Sequence, residues 1–279
     1  MGMTPIMSGR AVSSFFAFMV AFGSTALAAP TDAERAARWS DLRHAIFGER
    51  TVEDAGGLVA IEAPERAEDA AIVPVTIKVS DKLATKVRGL YLVIDDNPSP
   101  LAAHFLLGPL ADARHIETRV RVDDYTYLHA VAETADGRLY ATARFIKAAG
   151  GCSAPAGKDQ ALALKRLGKM KLTLGERQKP GLPLETKLLI SHPNNSGLQT
   201  DQLTHYYIPA DFIQTVKVSY DGQLVFKLES DIAISEDPAF YFAFRPTNSG
   251  NAGVLTAEIL DSSQRRFSQS WPVPAAPQM

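Results

Sequence analysis

The chain has 279 residues, a formal net charge of −2, a pI near 6.3 and a single cysteine. That balance excludes the basic footprint of a nucleic-acid or anionic-membrane binder. One cysteine also excludes an internal disulfide, so the fold stands on packing.

Met1 to Arg10 leads into the apolar core Phe15-Phe-Ala-Phe-Met-Val-Ala-Phe22 and then an A-x-A site ending at Ala28. Residues 1–28 therefore read as a secretory signal peptide, with an apolar core too short to span a bilayer. The segment holds no Arg-Arg pair, which points to ordinary unfolded export. The mature chain is expected to begin near Ala29, outside the cytoplasm, with length for one large or two ordinary domains.

Residues 29–57 form a helical lead-in, in which Trp39, Leu42, Ile46 and Phe47 fall at helical spacing and Gly48 ends the helix. Over 58–148 the pattern changes to short β-type runs. They are Leu58 to Ala63, Ile72 to Ser80, Val87 to Asp95, Ala102 to Leu107, His115 to Val122, Tyr125 to Thr134 and Arg138 to Lys147. Asp136-Gly137 reads as a hairpin turn between the last two. About seven short strands with frequent turn signals predict an immunoglobulin-like sandwich.

Residues 149–183 read as a linker. Ala148 to Gly157 is almost wholly Gly, Ala, Ser and Pro and cannot bury enough apolar surface to order itself. Asp159 caps a short basic helix reaching Lys171, and Leu174 to Pro183 is loop. Residues 184–275 return to β runs: Leu184 to Ser191, Phe212 to Tyr220, Gln223 to Glu229, Ala239 to Arg245, Val254 to Leu260 and Arg266 to Val273. Around the Asp221-Gly222 turn, Val216, Val218 and Tyr220 share one face, as do Leu224, Phe226 and Leu228. The fold class is thus all-β, two immunoglobulin-like antiparallel sandwiches joined by a Gly/Ala-rich linker.

The residues offer little equipment for catalysis. No two of His44, His104, His115, His129, His192 and His205 stand at a metal-ligand spacing with a completing carboxylate or thiol, so no metal is expected. His129 reads as a core histidine. Asp95-Asp96 and Asp123-Asp124 are adjacent, so on a strand their side chains oppose one another, and both pairs precede turns. The chain has neither a G-x-S-x-G elbow nor a phosphate-binding glycine loop. Cys152 remains, either a small tolerated linker residue or a reactive thiol. For the second reading, small neighbours would keep the thiol exposed and two lysines nearby in sequence would favour its thiolate.

The run Leu92-Val-Ile-Asp-Asp-Asn-Pro-Ser-Pro-Leu-Ala-Ala-His-Phe-Leu-Leu-Gly-Pro109, with Asp136-Gly137-Arg138-Leu139-Tyr140 and the ending Gly150-Gly151-Cys152, resembles SoxY, the periplasmic carrier subunit of bacterial thiosulfate oxidation. Ser191-His192-Pro193 with Gly197-Leu198, Ile208-Pro-Ala-Asp-Phe-Ile-Gln214 and Asp237-Pro-Ala-Phe-Tyr-Phe-Ala-Phe244 resemble its partner SoxZ. The resemblance implies a periplasmic SoxY–SoxZ fusion with contact between its two domains and no cofactor. It further implies a covalent carrier rather than an enzyme, with Cys152 expected to take a sulfur-containing group and Gly150 and Gly151 expected to make its arm flexible. The implied partners are a c-type cytochrome that attaches thiosulfate sulfur oxidatively and a hydrolase that releases sulfate. Here Cys152 is followed by more than a hundred residues rather than a free Gly-Gly end, so the arm is tethered at both ends. Fusions of this kind also resemble carriers associated with pyrroloquinoline-quinone alcohol dehydrogenases, which gives a second expected role as an adaptor to such a quinoprotein.

Overall fold

A computed structural model describes residues 1–2, 30–155, 160–176, 179, 181–247 and 252–276. Most of the predicted signal peptide therefore lies outside the described residues. Helix α1 (Asp32–Phe47) opens on a capping box, with the Thr31 hydroxyl accepting from the Glu34 amide and the Glu34 carboxylate accepting from the Thr31 amide. Three-residue strand β1 (Val52–Asp54) follows, too short to leave a periodic signal.

The first half continues as β2 (Val59–Glu62), β3 (Val73–Val79), the single turn α2 (Asp81–Ala84), β4 (Val87–Ile94), β5 (Leu101–Leu107), β6 (Ala111–Val120), β7 (Thr126–Thr134) and β8 (Leu139–Ile146). Its two layers are β1-β8-β7-β4-β5 and β2-β3-β6. Inward and outward positions alternate along β3, which is why its hydrophobic period is legible. The Asp136-Gly137 turn closes β7 onto β8, with Gly137 at φ 84°.

The second half comprises α3 (Gln160–Arg166), β9 (Met170–Leu174), β10 (Leu184–Ile190), β11 (Ile213–Tyr220), β12 (Gln223–Ser230), β13 (Ala239–Phe244), β14 (Gly253–Asp261) and β15 (Arg266–Val273). Its layers are β12-β11-β14-β15 and β13-β10-β9. The predicted linker is shorter than expected. Met170 to Leu174 is not loop or helix but an edge strand paired with β10, with Met170 buried and Leu172 and Leu174 packed against the core.

Both layers run on from one half into the other. β5 pairs antiparallel with β12, from Phe226 opposite Leu107 to Ser230 opposite Ala103. β6 pairs with β13, from Tyr241 opposite Glu117 to Phe244 opposite Ala111. The result is one nine-stranded sheet facing one six-stranded sheet, in which each half remains a sandwich. Between the layers Phe105 meets Phe226 and Phe240 edge-on, at ring-centroid distances of 5.9 and 6.4 Å. Buried Asp112 of β6 binds Arg245 across the junction at 2.8 Å.

α1 covers the outer face of the larger sheet. Trp39 stacks on His129 at 3.6 Å and Phe47 packs edge-on against Tyr91. His129 is buried and bonded to Asp95 at 3.1 Å, a core histidine as expected.

Because the two halves share sheets and core, Phe105→Ala should cost about 3–5 kcal/mol, as large core truncations do. Denaturant unfolding followed by fluorescence and circular dichroism should still show one coincident transition. Separate transitions for the two halves would contradict a shared core.

Candidate functional site

The segment after β8 folds back along its own domain before reaching Cys152. The Gly150 amide donates to the Asp123 carbonyl at 2.8 Å and the Gly151 amide to that of Val122 at 3.0 Å. Gly150 sits at φ 74°, a left-handed conformation that glycine adopts without strain. At Gly151 a Cβ would stand 2.1 Å from the Ala70 carbonyl oxygen, so the backbone can lie here only without a side chain. The flexibility expected of these two glycines is not their use in this arrangement, where they permit a close fit.

Cys152 is held from both domains. Its amide donates to Asp123 Oδ1 at 3.1 Å. Asp123 is fixed in turn by its own amide, which donates to Asn97 Oδ1 at 2.9 Å. From the second half, Ser196 Oγ donates to the Cys152 carbonyl at 2.5 Å and Gln199 Nε2 to the Ala154 carbonyl at 3.0 Å. Gln199 Oε1 accepts the Ser196 amide, so these two clamping side chains orient one another.

The thiol itself is 0% exposed. This corrects the expectation of an exposed, lysine-activated thiolate. Burial pushes the Cys152 pKa up to about 12, the Asp123 carboxylate adds to the rise, and Arg121 only partly opposes it. Of the lysines near in sequence, Lys147 is paired with Glu65 at 2.9 Å and Lys158 lies outside the described residues. In this docked loop the sulfur is a neutral, protected thiol.

Arg121 lies beneath the loop and is 1% exposed. Its terminal nitrogens donate to the carbonyls of Gly151 at 3.2 Å and Asn194 at 3.4 Å, while its Nε has no partner. Burial draws the guanidinium pKa down and nearby Cys152 opposes that change. The side chain thus ties the cysteine loop to the segment that supplies Ser196.

That segment is braced by His192. Its Nδ1 accepts the Asn194 amide at 3.1 Å, leaving the proton on Nε2, which faces Asp261 at 3.4 Å and Asp211 at 4.0 Å. Among the described residues His192, Asp211 and Asp261 are the one group of three or more His, Cys or carboxylate ligand atoms lying within 4.8 Å of one another. Arg265 already bridges Asp261 and Asp211 with its guanidinium, and burial keeps His192 neutral. One guanidinium bonds both carboxylates and His192 Nε2 faces them, so the cluster braces this segment against β14.

A family model described as "Sulfur oxidation protein SoxY" matches residues 43–152, and one described as "Sulphur oxidation protein SoxZ" matches residues 171–272. These two matches, on a chain of two sandwich domains, define a sulfur-oxidation protein. The chain is a SoxY–SoxZ fusion, carrying both domains in tandem on one polypeptide. Among solved structures it is similar to the sulfur carrier protein SoxY from Chlorobium limicola f thiosulfatophilum. That match has 29% identity over 41% of this chain and 95% of the other, with a TM-score of 0.36. A tetra-tandem repeat from the extending region of a large adhesion protein matches with 10% identity over 78% of this chain and 48% of the other, at a TM-score of 0.26. A search of curated protein sequences gave no match.

The SoxY match ends on Cys152, the residue singled out in the sequence. The clamp around it was not legible. Asp123 reads locally as a turn aspartate, and Arg121, Ser196 and Gln199 lie on segments whose approach depends on the joined sheets.

Removing the Ser196 and Gln199 hydrogen bonds should cost docking about 2 kcal/mol, roughly a 30-fold shift in its equilibrium. The Ser196→Ala/Gln199→Ala protein should therefore react with a maleimide at Cys152 at least about tenfold faster than wild type. Gly151→Ala should do the same by steric exclusion. Unchanged rates in both variants would show that these contacts do not control access. Because folding raises the thiol pKa, docking is fully favoured below the unfolded value near 9 and weakens as pH climbs toward 12. Maleimide reactivity measured against pH should keep rising through that window rather than level off near 9.

Proposed function

We propose that this protein is a periplasmic carrier that holds a sulfur-containing intermediate covalently on Cys152 and presents it to redox and hydrolytic partners. The observation that carries the reading is the placement of the chain's one thiol at the end of the SoxY match, on a loop held by hydrogen bonds rather than by core strands. The signal-peptide pattern of residues 1–28 supports the compartment. Among the described residues no helix is long and apolar enough to cross a membrane.

In the loading step, the Cys152 thiol and thiosulfate lose two electrons and one proton as the S–S bond forms, giving a protein-bound thiosulfonate. A c-type cytochrome is the oxidant class that accepts those electrons. In the release step water cleaves the terminal S–S bond, leaving a Cys152 persulfide and hydrogen sulfate. In this reading the protein's part is to hold, release and deliver the sulfur. Loading requires the loop to leave its dock, because a fully buried thiol facing a carboxylate can neither reach a second active site nor ionise readily. Ten residues of such a flexible segment have a root-mean-square span of about 17 Å, enough to present the thiol as a doubled-back loop.

Intact mass spectrometry of the mature protein from its native host, oxidising a sulfur substrate, should show an added sulfur or thiosulfonate mass that is absent from Cys152→Ala. A bare thiol under those conditions defeats the reading.

The burial of Cys152 favours a second reading, in which the protein is a non-covalent adaptor for a periplasmic quinoprotein alcohol dehydrogenase system and the thiol is structural. Host growth and partner binding unaltered by Cys152→Ala would select it.

A further inference from the structure

The strongest apolar exposure among the described residues outside the termini lies in the loop that follows the Cys152 clamp. Leu203 is 91% exposed, Tyr206 77% and Tyr207 73%. Other exposed large hydrophobics, such as Leu164, Leu182 and Val254, are scattered along the chain. Single exposed apolar residues need no explanation, whereas three within five positions do.

These side chains are held out by a built loop. Asp201 Oδ1 accepts the amides of Leu203 at 3.0 Å and Thr204 at 2.7 Å, and the Thr204 hydroxyl at 2.9 Å. The Asp201 amide donates to the Tyr206 carbonyl at 2.9 Å, the His205 amide to that of Asp201 at 2.9 Å, and His205 takes φ 59°. Thr200 and Tyr207 form a bridge across the loop base, and the Ile208 amide bonds to the Gln199 carbonyl at 2.8 Å. An aspartate accepting three hydrogen bonds on one oxygen and a left-handed residue thus hold a leucine and two tyrosines out to water. Preorganised tyrosines lose little conformational entropy on binding and are enriched among the residues that dominate interface energies.

We propose that loop 201–207 is the docking finger for the protein partner that loads Cys152, its three side chains entering an apolar pocket beside that partner's active-site entrance. This rests on the carrier reading. Continuity selects the occupant: Gln199, where the loop begins, donates to the Ala154 carbonyl, and Ser196, which it orients, donates to that of Cys152. A partner seated on the finger is therefore beside the clamp that must open for the thiol to be handed over. Asp201, the one carboxylate in the loop, is engaged by its own backbone, so the contact is apolar and weakly salt-dependent.

The test uses the full chain in its native host. Leu203→Ser/Tyr206→Ser/Tyr207→Ser should leave the melting temperature within about 2 °C of wild type, since the altered side chains are at the surface. Its rate of adduct accumulation on Cys152, read by intact mass after addition of sulfur substrate, should fall at least about 20-fold, as expected for truncating several hot-spot residues together. Tyr206→Phe/Tyr207→Phe should retain most of that rate, because it keeps the rings. Equal loading of wild type and triple variant overturns the assignment. So does a wild-type dimer that the triple variant converts to monomer in sedimentation, or binding of wild type but not variant to vesicles of anionic and zwitterionic phospholipid. If wild type itself carries no adduct, the carrier reading fails first and the docking assignment falls with it.

Discussion

The structure depends on edge pairing in both layers at once. A sandwich has exposed edges wherever a sheet ends, and an unpaired edge invites adventitious pairing. Here β5 and β6 of the SoxY domain are capped by β12 and β13 of the SoxZ domain, so each domain closes two edges of the other. The junction also carries the Phe105, Phe226 and Phe240 contacts and the ion pair of buried Asp112 with half-exposed Arg245. It is therefore core, with the packing and satisfied polar groups of an interior. Carrying both domains on one chain removes the translational cost of bringing them together.

That junction determines what surrounds the cysteine. Arg121, just past the end of β6, and Asp123 come from the first domain, and Ser196 and Gln199 from the second; only joined sheets place them on opposite sides of one loop. The segment 231–237 completes the arrangement, with Ser235 Oγ donating to the Ala71 carbonyl and the Arg121 amide to that of Ala233. A separate SoxY-type domain would offer Cys152 only half of this setting.

Strand positions were most readable where only one face is buried, because period-2 alternation records that directly, as in β3 and β14. The two Asp-Gly turns and α1 were equally legible. β9 was not, since Met170-Lys-Leu-Thr-Leu continues a basic helical pattern and becomes a strand only because β10 offers it a partner. At the site, composition identified Cys152 but misjudged its exposure. Small flanking residues give a thiol either freedom or a close fit, and the contact of Gly151 with the Ala70 carbonyl decides between them. The His192, Asp211 and Asp261 grouping was invisible for a related reason, because long-range pairing assembles it from distant positions.

The energetics of the docked loop explain how one segment can both protect and deliver a thiol. Gly150, Gly151, Cys152, Ser196, Gln199 and Arg121 each donate one hydrogen bond within it, worth about 1 kcal/mol apiece. Fixing the backbone of residues 150–154 opposes this by about 1–2 kcal/mol per residue. The opposing sums, about 6 against about 5–10 kcal/mol, leave apolar burial of the cysteine and its neighbours to hold the closed state by a small margin. An anionic sulfur adduct would reverse that margin, because it must be desolvated beside the Asp123 carboxylate. In the carrier reading, charge on the cargo would thus favour the released loop.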